Sequence, residues 1–292
     1  MEEVGATRVV EAGERWDVVI RPDGPWWRLD LRELWHYRDL LVLLVKRDIT
    51  AQYKQTLLGP LWHVVQPLTT TITFALIFGK AAGLAPPGVP AVLFYMSGIV
   101  TWNFFAGVVT RTSKTFTGNV QLMSKVYFPR LVVPMSMTAS TLVGYAIQLA
   151  TFVVFVAGYA LSGWDWSPGA SLAAMPLLVL IMCLLGLGTG ILVSAMTTKY
   201  RDLGFLVGFG VQLLMYASPV IFPLSRLAQY PWLLRIFELN PMTSVIEATR
   251  AMFFGGALPW AGLAYATGAG LGISMLGLVF FHRVERSFSD IV

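Results

Sequence analysis

A chain of 292 residues that is 56% hydrophobic and 13% charged, with a mean hydropathy of +0.66, has too few polar side chains to cover a soluble fold, whose charged share is roughly 25%. The net charge of +5 would suit nucleic acid. Here, however, the basic residues flank apolar runs instead of lining one polar face, so no nucleic acid is expected and anionic lipid headgroups are the natural partners. Cys183 is the sole cysteine, which rules out an intramolecular disulfide.

Residues 1–28 form a polar, Gly- and Pro-containing leader without the pattern of a secretory signal, so the N-terminus is expected in the cytoplasm. Over 29–48, Asp30 and Glu33 have the spacing of a helix cap, and Leu31, Leu34, Trp35, Leu41, Val42 and Val45 recur at helical intervals. Arg32, His36, Asp39, Lys46 and Arg47 fall mostly elsewhere on the wheel. This segment is expected to lie as an amphipathic interface helix on the membrane, on another subunit, or on both.

Six windows then lack Asp, Glu, Lys and Arg: 55–79, 81–110, 131–164, 166–198, 203–225 and 251–281. A charge at mid-bilayer costs about 2.5–3.5 kcal/mol and a crossing helix needs about 20 residues. Spans are therefore expected near 60–79, 90–110, 132–160, 172–196, 203–221 and 260–281. The fold class is an all-α integral membrane protein whose transmembrane domain covers 55–292.

Seventeen of the 21 Lys and Arg residues fall in 1–54, 111–130, 199–202 and 282–292. These segments are cytoplasmic by the positive-inside rule, and both termini lie inside. Segment 222–259 is too charged to span and too apolar to float free, and Pro223, Pro231, Pro241 and Pro259 divide it into short helices at about 224–237 and 242–254. They are expected to re-enter the outer leaflet or cover a pore.

No G-x-x-x-x-G-K-[ST] occurs, so a P-loop is lacking, and neither H-E-x-x-H nor G-x-S-x-G is present. No catalytic residue and no metal site is therefore assigned. His63 is the one ionisable group inside the windows, near the start of the first. That scarcity argues against an ion relay and for a pathway driven from outside the chain. A glycan-processing enzyme would need a carboxylate pair at the outer surface. Asp165, Glu238 and Glu247 are the outward acidic residues, and their spacing marks no pair. Gly79/Gly83, Gly204/Gly208 and Gly268/Gly272 have the spacing of close helix packing.

The chain resembles the permease subunits of ABC-2 type polysaccharide exporters. The matching stretches are RDITAQYKQTLLGPLWHVVQPL at 47–68, NVQLMSKVYFPRLVVP at 119–134, KYRDLG at 199–204, SPVIFP at 218–223, LNPMTSVIEATRAMFFGG at 239–256 and the final HRVERSFSDIV. The resemblance implies six spans and a homodimer enclosing a channel in a bacterial cytoplasmic membrane. It also implies a separate cytoplasmic ATPase dimer that binds ATP and magnesium, leaving this chain without a cofactor. The cargo it implies is a lipid-linked polysaccharide of O-antigen, capsule or teichoic acid type. A drug or lipid exporter is the alternative in the same superfamily.

Carried onto these positions, Asn119, Leu122, Lys125, Phe128, Pro129 and Arg130 would couple to the ATPase, with Arg47 and Asp48 as a second contact. Gly59, Pro60 and Trp62 would form a hinge for lateral access. Trp102, Phe105, Tyr145 and Tyr216 are channel-lining candidates, since aromatic rings stack on the apolar faces of sugars. Asn240, Pro241 and Arg250 would gate the exit, with snorkelling of Arg250 to headgroups as its alternative role.

Overall fold

The computed structural model describes residues 31–125, 128–166, 170–200 and 202–291, and every regular element among them is helical. The expected leader, 1–28, lies outside the described residues. The interface segment is two helices, α1 (Leu31–His36) and α2 (Arg38–Tyr53), broken at Tyr37. Helix α2 continues five residues past the expected end at 48. It buries Leu44 and leaves Val42 and Leu43 exposed, while Trp35 on α1 is exposed as well.

Among the described residues, five helical stretches are long and apolar enough to cross a membrane: Gly59–Ala81, Ala91–Thr112, Val132–Leu161, Ser171–Thr198 and Trp260–Val284. The first is α3 (Trp62–Phe74), entered through a 3-10 turn at Gly59–Leu61 and continued by a π-helical turn at Ala75–Ala81. The others fall on α4 (Ala91–Thr112), α7 (Val132–Leu161), α8 (Met175–Lys199) and α12 (Trp260–Ile291), the last running on past its span. Between α4 and α7 lie two short helices, α5 (Thr115–Gly118) and α6 (Val120–Lys125).

Six spans were expected, and the remaining one is short. Helix α9 (Leu203–Tyr216) has 14 residues, about 21 Å at 1.5 Å per residue against about 30 Å of hydrocarbon. It stops before the expected 221 because Pro219 pushes Ser218 out of the α region. The chain then turns, with the Val220 amide donating to the Ser218 carbonyl at 2.7 Å.

The irregular segment holds a 3-10 turn at Leu224–Leu227, then α10 (Pro231–Leu239) and α11 (Pro241–Phe254). The first of the two expected helices begins at Pro231, not 224, because proline is welcome at a first turn and disruptive inside one.

Helix α4 is the axis of the bundle, packing on α3, α7, α8 and α11. Of its apolar window 78% is buried, against 11% for the first span and 22% for α7 and α12, so the others form its wrapping. Phe94, Tyr95, Phe104 and Val108 on α4 belong to one large apolar core with Phe152, Leu178, Ile181 and Met252.

The close approaches are made by glycines other than the expected ones. Gly83, Gly204, Gly208, Gly268 and Gly272 have nothing within 4 Å of where a Cβ would stand. A Cβ at Gly188 would lie 2.8 Å from the Ser274 backbone, and one at Gly277 would lie 2.8 Å from the Gly188 carbonyl. These two glycines let α8 and α12 touch backbone to backbone. Of the expected set, only Gly79 faces a tight neighbour, Tyr95 at 3.1 Å.

Candidate functional site

The bundle has two functional ends, fixed by the ends of α4. At its C-terminal end, near Arg111, sit α2, α5 and α6. At its N-terminal end, near Phe94, sit α10 and α11.

At the first, basic end a second apolar cluster joins Leu44, Phe116, Met123, Phe128, Val132, Val133, Ile191 and Phe281. The rings of Phe116 and Phe281 are 4.6 Å apart, a contact worth about 0.5–1.5 kcal/mol beyond the area it buries. Short helices persist here because this cluster holds them, since an isolated turn of helix is unstable in water. Phe128 is only 5% exposed. The resemblance assigned it to ATPase coupling, and its ring packs inside the subunit.

Asn119 is likewise buried, its side-chain amide donating to the Thr115 carbonyl at 3.1 Å. Leu122 packs on the cluster's rim, and Pro129 and Arg130 are half-buried. The Lys125 side chain lies outside the described residues. Among the described residues the outward surface of this element is formed by Lys114, Thr117, Gly118 and Gln121, which sequence reasoning did not single out. Their position within or just before the matched stretch NVQLMSK was the available signal.

Beside this cluster a polar chain ties α2 to the first span. Arg47 pairs with Asp48 at 3.0 Å, and Arg111 lies 4.0 Å from the other Asp48 oxygen. Arg111 also donates to the Gln52 side-chain carbonyl at 3.4 Å, and the Gln52 amide lies 3.2 Å from His63 Nε2. His63 is wedged against α7 where Gly144 leaves no side chain, since a Cβ there would stand 2.7 Å from its ring. Arg47 and Asp48, expected as a second contact to the ATPase, are here bonded to each other, with Asp48 also facing Arg111. Gln52 and Arg111 were missed, because Arg111 had been read only as a topology charge.

The access-hinge residues lie between this chain and α3. Gly59 has φ +49, a left-handed conformation that favours glycine, and the Thr56 hydroxyl accepts its amide at 3.1 Å. Pro60 is the second residue of the 3-10 turn, and Trp62 is 51% exposed on the outside of the bundle.

The channel-lining candidates separate. Trp102, Phe105 and Tyr145 are each under 5% exposed and pack in the main core, with Trp102 against Phe105 and Tyr145 against Phe104. No solute reaches them in this conformation. Their rings bury more apolar area inside the subunit than a wet channel wall would allow. Tyr216, at 48%, keeps a free face.

At the second end, α10 and α11 form a hairpin over the bundle. Asn240 caps α11 by accepting from the Met242 amide at 3.0 Å, and donates to the Ala217 carbonyl at 3.1 Å and the Ser218 hydroxyl at 2.8 Å. Pro241 supplies the first residue of α11. Tyr265 of α12 donates its hydroxyl to the Leu239 carbonyl at 2.8 Å.

Arg250 is 6% exposed, so it does not reach toward headgroups and the snorkelling alternative is withdrawn. It pairs with Glu247 at 2.8 Å, donates to the Val220 carbonyl at 3.1 Å, and stacks 3.8 Å from the centre of the Phe94 ring. Gly98 makes room for it, since a Cβ there would stand 3.2 Å from Nη2. Of the three outward acidic residues, Glu247 is the one engaged by Arg250.

Comparison with known proteins completes the picture. The pattern of the ABC-2 type transporter family matches residues 39–254. An O-antigen export system permease protein of Klebsiella pneumoniae is 26% identical over 258 residues, covering 87% of this chain and 95% of its own. One from Myxococcus xanthus is 29% identical over 229 residues, covering 78% and 85%. A polysialic acid transport protein of Escherichia coli is 19% identical over 214 residues, covering 73% and 80%. With the family pattern running from α2 to the end of α11, the chain belongs to the ABC-2 type transporter family.

Proposed function

We propose that this chain is the transmembrane subunit of an ATP-driven exporter that moves a lipid-linked polysaccharide of O-antigen or capsule type across a bacterial cytoplasmic membrane. The observation that carries the reading is the similarity to O-antigen export permeases over 95% of a relative's length. The chain works as a homodimer with a separate ATPase dimer that binds ATP and magnesium. The bare apolar faces of α3 and α9, among them Ile72, Leu76, Phe205, Phe209 and Leu213, are the surfaces on which lipid and a second copy are met. Helix α9 completes a sixth crossing together with the turn that follows it, and both termini are cytoplasmic.

ATP closure pushes on the outward surface of α5 and α6. Because Phe128 is packed with Leu44, Phe116 and Phe281, that push passes as a unit to α2, α7 and α12. The polar chain from Asp48 to His63 carries it to the access hinge at Gly59, Pro60 and Trp62. At the far end Asn240, Pro241 and Arg250 fix the hairpin that gates the exit.

The test is a strain lacking this gene. Surface polysaccharide disappears and the lipid-linked chain accumulates inside, and the wild-type gene restores export. Normal surface polysaccharide in the deletion strain overturns the reading.

A further inference from the structure

Where α2 meets the inner ends of the first span and α4, two guanidinium groups share one carboxylate. Arg47 approaches one Asp48 oxygen at 3.0 Å and Arg111 the other at 4.0 Å. The Asp48 side chain is tucked away at 13% exposed, whereas those of Arg47 and Arg111 stand open at 47% and 33%. One carboxylate against two cations leaves this trio positive. A guanidinium carries five N–H donors, and Arg47 turns Nε and one terminal nitrogen to Asp48, so donors remain for an outside acceptor. Gln52 steadies Arg111 and is itself met by His63.

Position narrows the ligand. Arg111 is the last residue but one of the α4 span, and Gly59 is the first residue of the neighbouring span, so the pair stands at headgroup depth. One turn beyond His63, α3 divides into three faces. Pro67, Thr71 and Ala75 are buried, and Val65, Ile72 and Leu76 are exposed and apolar. Gln66, Thr69 and Thr73 recur at helical intervals as an exposed polar strip. The second face suits lipid, whereas the amide of Gln66 does not. The Thr69 and Thr73 hydroxyls donate to the carbonyls of Val65 and Thr69, which leaves their oxygens open as acceptors. Cationic forks at headgroup depth followed by a polar strip suit an anionic group that joins a lipid to a hydroxyl-rich chain. Arginine forks match phosphoryl oxygens two at a time.

We propose that Arg47 and Arg111 form the docking site for the diphosphate of a lipid-linked cargo at its lateral entry. Asp48 holds the two forks side by side, each takes one phosphoryl group, and the strip of Gln66, Thr69 and Thr73 receives the first sugar. The proposal rests on the export reading and adds to it the group by which the cargo is recognised.

The full-length chain in phosphatidylcholine nanodiscs is titrated with radiolabelled farnesyl diphosphate, with uptake by empty discs subtracted. Saturable binding is expected, and Arg47→Met and Arg111→Met should each weaken it roughly tenfold or more. Arg38→Met, which removes an exposed cation from the same helix, should leave it unchanged. Replacing part of the phosphatidylcholine by phosphatidylglycerol should not displace the ligand, and farnesyl monophosphate should bind more weakly. Should Arg111→Met fail to give a monodisperse protein, Arg47→Met decides, since Asp48 then keeps Arg111 as its partner.

Absence of saturable binding, equal loss in Arg38→Met, displacement by phosphatidylglycerol, or equal affinity for the monophosphate overturns the site. The export reading is judged separately, by whether the wild-type gene restores surface polysaccharide. A chain that restores export yet binds no farnesyl diphosphate sinks the site alone.

Discussion

The two ends of the bundle solve the same problem with opposite chemistry. The basic end is held by apolar wedges, Phe116, Phe128 and Phe281, with an exposed polar chain beside them. The hairpin end is held by one buried cation, Arg250, fastened to a carboxylate, a backbone carbonyl and an aromatic face. Apolar packing tolerates small sliding movements, whereas a buried charge has few places where all its donors are met. The basic end is thus suited to transmit displacement, and the hairpin end to hold one position until its latch is exchanged.

Substitutions separate the two modes, from the largest expected effect to the smallest. Phe128→Ala empties the centre of the basic cluster and should cost about 3–5 kcal/mol, read as a lowered midpoint of thermal unfolding in nanodiscs. Arg250→Met at the other end leaves Glu247 unpaired. Because that carboxylate is partly solvated, the cost should be about 2–3 kcal/mol, short of the full penalty for a broken buried pair. It should appear as faster proteolysis of the 217–240 turn before global unfolding. If Arg250→Met is silent in both assays, the latch is not what holds the hairpin.

Gly188→Val tests the contact that carries both ends. It should destabilise by about 1–3 kcal/mol through overpacking against Ser274, while Gly268→Val on α12, with open space around it, should leave the melting midpoint unchanged. Asp48→Asn should be mildest, at under about 1 kcal/mol, because Arg47 and Arg111 are partly exposed and such pairs are weak.

The same contrast marks how far the sequence could be read. Uncharged runs gave α4, α7 and α8 to within about three residues, because the bilayer's cost for charge acts on each window locally, whereas α12 starts at the expected 260 and runs on past 281 to Ile291 through charged chain that no longer spans. Helix α9 came out shorter, since Pro219 and the grip of Asn240 on Ala217 and Ser218 depend on chain brought from elsewhere. Glycine spacing within one helix could not say which glycines meet a neighbour. Gly188 and Gly277 are known only once α8 and α12 are side by side.

At the candidate sites, residue type was legible and direction was not. Phe128, Trp102 and Tyr145 were singled out as aromatics, and all three point into the subunit. Arg111 and Gln52 were passed over because their partners lie on other helices, Gln52 itself on α2 for Arg111 and His63 on α3 for Gln52.

The central claim is that a separate ATPase drives this chain through the outward surface of α5 and α6. The direct measurement is ATP hydrolysis by the partner ATPase, reconstituted in lipid with the wild-type chain and with Thr117→Trp. That substitution adds bulk to an exposed position and leaves the Phe128 cluster intact. The account predicts that the wild-type chain changes the hydrolysis rate and that Thr117→Trp returns it to the rate of the ATPase alone, with the melting midpoint unchanged. Hydrolysis indifferent to the chain, or identical with both versions, would contradict it.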